Sequence, residues 1–239
     1  MRRLRERKRR PHKPLAVMFP IRGADGLDAV REHTEPGACE SGLITDPARP
    51  IVLARLGAGS KLSPELAPGL GELGVFLPYS PLHHRLLGRY DQPLVATSGN
   101  LSGEPVLTDN EEAGRRLAAI CDGFLQHDRP IVRPADDPVF RVIAERAQLI
   151  RPGRGIAPLE IDLPEGPPVR PTVALGGHMK NTVALAWDRR VVVSPHIGEL
   201  DSPRSMDIFA AVVADLQRLY GVEAGALVYD AHPGYASTR

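Results

Sequence analysis

Only two cysteines occur in the 239 residues, Cys39 and Cys121, and they lie far apart outside any Cys-x-x-Cys pattern. A thiol metal site or a redox pair is therefore not expected, and both read as reduced side chains of an ordinary interior. Long apolar runs are missing too. The stretch from Leu15 to Ile21 is seven residues long, contains Pro20 and precedes no small-x-small cleavage site. It fits neither an export signal nor the ~18–20 residues of a membrane span. The expectation is a soluble cytoplasmic protein with no membrane association. No Ser-His-Asp or paired-carboxylate pattern stands out either.

A chain of this length can bury about 70–75% of its unfolded surface without a disulfide staple. The net charge of +1 hides an asymmetry. In residues 1 to 13, Arg2, Arg3, Arg5, Arg7, Lys8, Arg9, Arg10 and Lys13 stand against Glu6, which gives +7. The remaining 22 basic and 28 acidic residues give −6. Such an arm suits nucleic acid. It equally suits a helix whose last turn favours cations; Leu4 precedes good helix formers and Pro11 stops them, so a helix end is the better reading.

Two folding units are expected. In the first, strands over Leu15–Phe19, Ile51–Leu56, Leu73–Leu77, Leu94–Ala96, Gly123–His127, Val139–Ala144 and Gln148–Arg151 mix with helices over Leu27–Glu32, Pro81–Leu87 and Asn110–Ile120. Asp109 or Asn110 would cap the last helix. Short runs in mixed order imply an α+β sheet and not a doubly wound parallel one. Six prolines between 152 and 171 block helix and central strand, so that stretch reads as a linker or a surface strap. The boundary is placed near 168, giving domains 1–168 and 169–239. The second reads as three strands (Thr172–Leu175, Thr182–Trp187, Val191–Ser194), a helix from Pro203 to Tyr220 and a strand over Ala226–Tyr229. Ser202 caps the helix, Phe209, Val212, Val213, Leu216 and Leu219 form its apolar stripe, and Gly221 ends it.

The densest chemistry lies in Leu94-Val95-Ala96-Thr97-Ser98-Gly99-Asn100-Leu101-Ser102-Gly103-Glu104-Pro105. A short apolar strand ends in hydroxyls at Thr97, Ser98 and Ser102, an amide at Asn100 and bare backbone at Gly99 and Gly103. Such a loop suits phosphate oxygens or a nucleotide sugar; it equally suits an Asn/Ser/Gly turn closing a hairpin. His83-His84 is not at metal spacing, since helix neighbours point about 100° apart. One core and one surface histidine, or one substrate-facing histidine, both fit. Asp136-Asp137 fits a metal–nucleotide contact or a solvated turn.

With the Thr97 to Pro105 loop, Lys8-Arg9-Arg10-Pro11-His12-Lys13-Pro14 and Leu149-Ile150-Arg151-Pro152-Gly153 resemble the YrdC-like ATP-binding domain. There a Lys-x-Arg segment and a Ser-x-Asn loop face one nucleotide. The positions here are Lys8, Arg10, Ser98 and Asn100, with Arg151 in the Arg-Pro-Gly element. The resemblance is closer still to one branch, the HypF-type carbamoyltransferase of nickel–iron hydrogenase maturation. It runs through Leu77-Pro78-Tyr79-Ser80-Pro81-Leu82-His83-His84 and Arg133-Pro134-Ala135-Asp136-Asp137. It continues in Leu175-Gly176-Gly177-His178-Met179-Lys180-Asn181-Thr182, Ser194-Pro195-His196-Ile197-Gly198-Glu199-Leu200-Asp201-Ser202 and Asp230-Ala231-His232-Pro233-Gly234-Tyr235.

This resemblance implies a YrdC-like mixed sheet with flanking helices, followed by the first half-lobe of an actin-like ATPase fold. It implies that carbamoyl phosphate and ATP give carbamoyl adenylate. The carbamoyl group then passes to the C-terminal cysteine of a partner protein and becomes a cyanide ligand. Lys8, Arg10 and Arg151 would be the catalytic cations. Thr97, Ser98, Asn100 and Ser102 would hold ATP and magnesium. Gly176, Gly177, Lys180 and Thr182 would form a second phosphate hairpin. No metal ligand is assigned, His196 and His232 included; zinc belongs to family segments outside these residues. Both chain ends read as abrupt, so a fragment, weakly active or inactive alone, is expected. Two alternatives remain: a double-stranded RNA module, or an enzyme making threonylcarbamoyl-adenylate for transfer RNA.

Overall fold

The computed structural model describes residues 1–239. In chain order the elements are α1 (Arg2–Arg7), β1 (Ala16–Met18), α2 (Asp28–Arg31), α3 (Ala38–Thr45), β2 (Ile51–Arg55), β3 (Glu72–Phe76), α4 (Pro81–Tyr90), β4 (Leu94–Ala96), α5 (Asn110–Arg116), β5 (Val139–Ile143) and β6 (Arg146–Arg151). There follow β7 (Leu159–Asp162), β8 (Val169–Ala174), β9 (Ala184–Asp188), β10 (Arg190–Val193), α6 (Pro203–Tyr220) and β11 (Ala226–Val228). The chain divides into two compact units. One comprises Met1–Ser98, Ala119–Asp122 and Asp137–Arg151; the other comprises Gly99–Ala118, Gly123–Asp136 and Pro152–Arg239.

The first unit holds a six-stranded sheet in the order β4-β1-β3-β2-β5-β6. Its pairings are mixed: β1 runs parallel to β3 and antiparallel to β4, and β2 runs antiparallel to β3 and parallel to β5. This is the α+β arrangement the short, irregularly ordered strands imply. In β2, Val52 and Ala54 turn inward while Ile51 and Leu53 are half-buried, the period of two that a pleated strand requires. They pack with Leu15, Val17, Phe19, Leu27, Val30, Ile44, Leu73 and Val75 into one core. Gly74 in β3 has a steric cause, since a Cβ there would lie 2.9 Å from the Ile51 side chain.

The second unit holds a five-stranded sheet in the order β11-β8-β9-β10-β7, with β11 parallel to β8 and the remaining pairs antiparallel. Three strands, a helix and a returning strand follow each other as expected from the sequence. The side chain of Ser202 accepts from the Ser205 N–H, Pro203 takes the first turn, and Gly221 closes α6 in the left-handed region at φ +63°. Phe209, Leu216, Val212 and Val213 cover Val183, Val192 and Ile197. The proline-rich stretch contributes β7, an edge strand, between Pro158 and Pro164; at an edge a missing N–H costs no ladder bond.

Two expectations fail locally, and one helix is unforeseen. Residues 123 to 127 are irregular rather than a strand. Their backbone is tied to α5 instead, the Asn110 side chain donating to the His127 carbonyl at 2.8 Å and the Gln126 side chain to the Asn110 carbonyl at 2.8 Å. The helix capped by the Asp109 side chain stops at Arg116 and not at residue 120. The unforeseen helix is α3, which carries no apolar stripe; Ile44 alone is buried in a segment containing Gly42.

Candidate functional site

The antiparallel register Ala16↔Ala96 places the exit of β4 beside the entry to β1. Residues leaving β4 (Thr97, Ser98) therefore meet residues approaching β1 (8 to 14). α1 folds that approach back. Its Arg5 is 8% exposed and reaches the carbonyls of Arg10 (2.8 Å), Pro11 (3.2 Å), Lys13 (3.1 Å) and Glu65 (2.8 Å). A guanidinium presents donors in a fixed fork, so one side chain sets the shape of the whole turn. Arg9 sits in the left-handed region at φ 49° within it.

Lys8, 5% exposed, donates from Nζ to the Ser98 carbonyl at 2.6 Å and to Thr97 Oγ1 at 3.3 Å. Arg10 donates from Nη1 to the same Thr97 Oγ1 at 3.2 Å and from Nη2 to the Pro14 carbonyl at 2.8 Å. Burial, and next the neighbouring Arg10, lower the Lys8 ammonium to about 8. Burial, then repulsion from Arg5 and Arg151, lower the Arg10 guanidinium. Arg10 Nε is buried without a protein partner. Cations crowded this way favour an anion among them.

Arg151 closes β6, at the opposite edge of the sheet from β4. It donates Nε to the Asp137 carbonyl at 3.0 Å and acts on Arg10 through charge. The structure thus brings Lys8, Arg10, Thr97 and Ser98 into hydrogen-bond contact, and Arg151 into electrostatic range. Beyond Ser98 the loop is ordered by its own bonds. Asn100 Nδ2 donates to the Glu104 carbonyl at 2.6 Å, Glu104 N–H to Leu101, and Leu107 N–H to Gly99. Ser102 is exposed in the turn before Gly103.

The other predicted residues lie between β8 and β9. Gly176 stands at φ +65°, and a Cβ there would meet the Thr182 carbonyl at 2.2 Å, so only glycine fits. Gly177 has open space around it; Lys180 is exposed, at φ 50°, and Thr182 is half-buried. The residue that holds this hairpin is Asn181, which sequence reasoning passed over. At 1% exposure it donates Nδ2 to the Leu175 and Gly177 carbonyls (2.9 and 2.5 Å), while Oδ1 has no protein partner. His178 Nδ1 accepts from the Ala236 N–H at 3.2 Å, so Nε2 carries the proton toward Asp201 Oδ1 at 2.7 Å.

The two ambiguous pairs separate. His83 meets Tyr79 edge-on at 4.6 Å while His84 is exposed. Asp136 pairs with His196 Nδ1 at 2.7 Å, and Asp137 offers its carbonyl to Arg151. No three His, Cys, Asp or Glu side chains are grouped to hold a metal ion. Within the basic arm, Arg3 and Arg7 pair with Asp122 at 2.9 and 2.6 Å and Arg2 lies 3.6 Å from Glu65. Arg5 is buried. Much of the +7 is thus engaged within the chain, which disfavours the RNA reading.

A six-stranded mixed sheet carrying a cation cluster at the end of its edge strand defines a YrdC-like domain. Residues 1–153 match the Sua5/YciO/YrdC family model, described as telomere recombination, so the chain belongs to that family; residues 167–239 match the HypF Kae1-like domain. The chain is 44% identical over 234 residues, 98% of its length, to a carbamoyltransferase HypF of Synechocystis, and 40% identical over 99% of its length to that of Rhizobium leguminosarum. It spans about 30% of each relative's length. A crystal structure of full-length HypF in a phosphate- and nucleotide-bound form superposes with TM-score 0.92 at 37% identity, over 99% of this chain and 30% of that one. A structure of P. abyssi Sua5 shares the fold alone, at 18% identity and TM-score 0.53 over 64% of the chain. No helix is long and apolar enough to cross a membrane.

Proposed function

We propose that this chain supplies the nucleotide-handling part of a HypF-type carbamoyltransferase of hydrogenase maturation. The observation that carries the reading is the pair of buried Lys8 and half-buried Arg10, crowded like charges joined on Thr97 Oγ1. A triphosphate would quench that repulsion. Carbamate, formed when water hydrolyses carbamoyl phosphate and inorganic phosphate leaves, attacks the α-phosphorus of ATP through its oxygen. The bond from that phosphorus to the α,β-bridging oxygen breaks and pyrophosphate leaves, giving carbamoyl adenylate. Charge grows on the phosphoryl oxygens during the step, where fixed cations stabilise it most. Lys8, Arg10 and Arg151 provide those cations. Thr97 and Ser98 orient the phosphates, with Asn100 and Ser102 continuing the same loop. No base is needed, because carbamate is already an anion.

The donor set fits magnesium as a companion of the triphosphate. Asn100 donates its amide nitrogen to the Glu104 carbonyl. Side-chain hydroxyl and amide oxygens of the kind this loop carries are hard donors of the class magnesium takes, and the ion when bound would neutralise phosphate charge. The Gly176, Gly177, Lys180 and Thr182 hairpin is proposed as a second phosphate contact, and a thiol-bearing maturation protein as the acceptor.

Binding of an ATP analogue to the 239-residue chain is the first test. Radiolabelled pyrophosphate exchange into ATP is the second. Exchange that depends on added carbamate supports the reading. Exchange that instead demands threonine and bicarbonate overturns it in favour of a threonylcarbamoyl-adenylate synthase, and absence of nucleotide binding overturns both.

A further inference from the structure

Four charged side chains, none of them among the residues assigned to ATP, form a continuous chain. Arg116 Nη2 donates to both carboxylate oxygens of Glu104, at 2.8 and 2.6 Å. Arg116 Nη1 donates to Glu112 Oε1 at 3.2 Å, and Arg204 Nη1 to the same oxygen at 2.6 Å. Glu104 lies in the loop after β4. Glu112 and Arg116 are the first and last turns of α5, and Arg204 opens α6. The four side chains are 25–31% exposed. The arginines hold the Glu112 carboxyl below the usual range, Arg204 contributing most.

We infer that Glu104, Arg116 and Glu112 are positioning residues that fix the shape of the nucleotide loop, with Arg204 as their anchor. The inference rests on the ATP reading above. The effect is entropic. Residues 97 to 107 form neither helix nor strand beyond β4, and they include glycines at 99 and 103 and small polar side chains. An unsupported segment of this composition loses conformational freedom each time a ligand binds. The Glu104 backbone already serves the loop, its carbonyl receiving Asn100 Nδ2 and its N–H reaching Leu101. Tying the Glu104 side chain to α5 therefore fixes the Asn100 amide through one intervening hydrogen bond. Two acids and two bases leave the chain of charges with no net charge. It acts by holding geometry. Fully exposed ion pairs contribute little to stability, and these, largely covered at the root of a binding loop, act chiefly on ligand order.

The test is the dissociation constant of a fluorescent ATP analogue for the 239-residue chain and for Glu104→Ala, Arg116→Ala, the double variant, Arg116→Lys and Arg204→Ala, with thermal midpoints alongside. The single variants at 104 and 116 are expected to weaken binding about three- to tenfold, and the double variant no more than either single one, as a shared contact requires. Arg116→Lys should recover most of the loss, and Arg204→Ala should weaken binding by less than Arg116→Ala. Amide exchange at Glu104 and Leu107 should quicken in Arg116→Ala while the midpoint stays within a few degrees. Wild-type affinity in Arg116→Ala, losses that add in the double variant, or a loss of affinity explained by a lowered midpoint would each overturn the inference. A wild-type chain that binds no nucleotide would instead defeat the ATP reading on which it stands.

Discussion

The Lys8 ammonium donates to the Ser98 carbonyl at 2.6 Å, across ninety positions of sequence. The contact exists because β4 lies antiparallel beside β1. It joins the two segments that composition singled out separately, the basic arm and the Ser/Gly/Asn loop.

Replacing Lys8 with Met separates binding from stability. The variant loses a cation for the phosphates, and ATP-analogue affinity is expected to fall about ten- to a hundredfold. It relieves repulsion against Arg10 but takes the Lys8 donor from the Ser98 carbonyl, so these contributions oppose and the change in stability should stay within about 1–2 kcal/mol. Isothermal titration and thermal melts read the two effects. Unchanged affinity in a folded Lys8→Met chain would remove Lys8 from the site.

The same lysine gives a pH dependence with a definite sign. In the folded chain Lys8 titrates at about 8, against 10.5 when unperturbed. Phosphate binding favours the protonated form, so affinity should be flat below that value and fall as pH rises through it, by up to about tenfold per pH unit. Binding near pH 8 should take up a proton, seen as a titration heat that scales with buffer ionisation enthalpy. Stability of the free chain moves oppositely. Between about 8 and 10.5 the unfolded state carries the extra proton, so this group's contribution to folding rises with pH across that window.

Arg5 offers a structural test. Its guanidinium bonds the carbonyls of residues 10, 11, 13, 65 and 66. Arg5→Met leaves these oxygens without their donor, and destabilisation of about 2–4 kcal/mol is expected in denaturant unfolding. Nucleotide affinity should fall with it, since the same turn carries Lys8 and Arg10. Loss of stability with full affinity would show that the turn does not depend on Arg5.

Adjacent glycines should respond differently. Gly176→Ala places a Cβ 2.2 Å from the Thr182 carbonyl at φ +65° and should cost about 1–3 kcal/mol or more. Gly177→Ala meets nothing within 4 Å and should melt near the wild type. Equal midpoints for the two would contradict the hairpin geometry.

Some of this protein was determined by local sequence. Ser202, Pro203 and Gly221 bound α6 at the expected residues, because capping and left-handed closure are decided within a few positions. Strand cores such as Val52 and Ala54 followed their alternation. The mixed sheet followed from short strands in irregular order. Local patterning does not carry partner choice. Residues 123 to 127 had the apolar content of a strand, yet Asn110 and Gln126 claimed their surroundings. No stripe announced α3, because Ile44 is its one residue buried in the core. Among thirteen residues dense in arginine, nothing local distinguished buried Arg5 from exposed Arg3. The role of each cation came from which carbonyls and hydroxyls the folded chain brought within reach, and Glu104 met Arg116 and Glu112 met Arg204 on the same terms. Sequence set the supply of charges and hydroxyls; long-range packing decided which of them lost water, and with it which had their proton affinity altered.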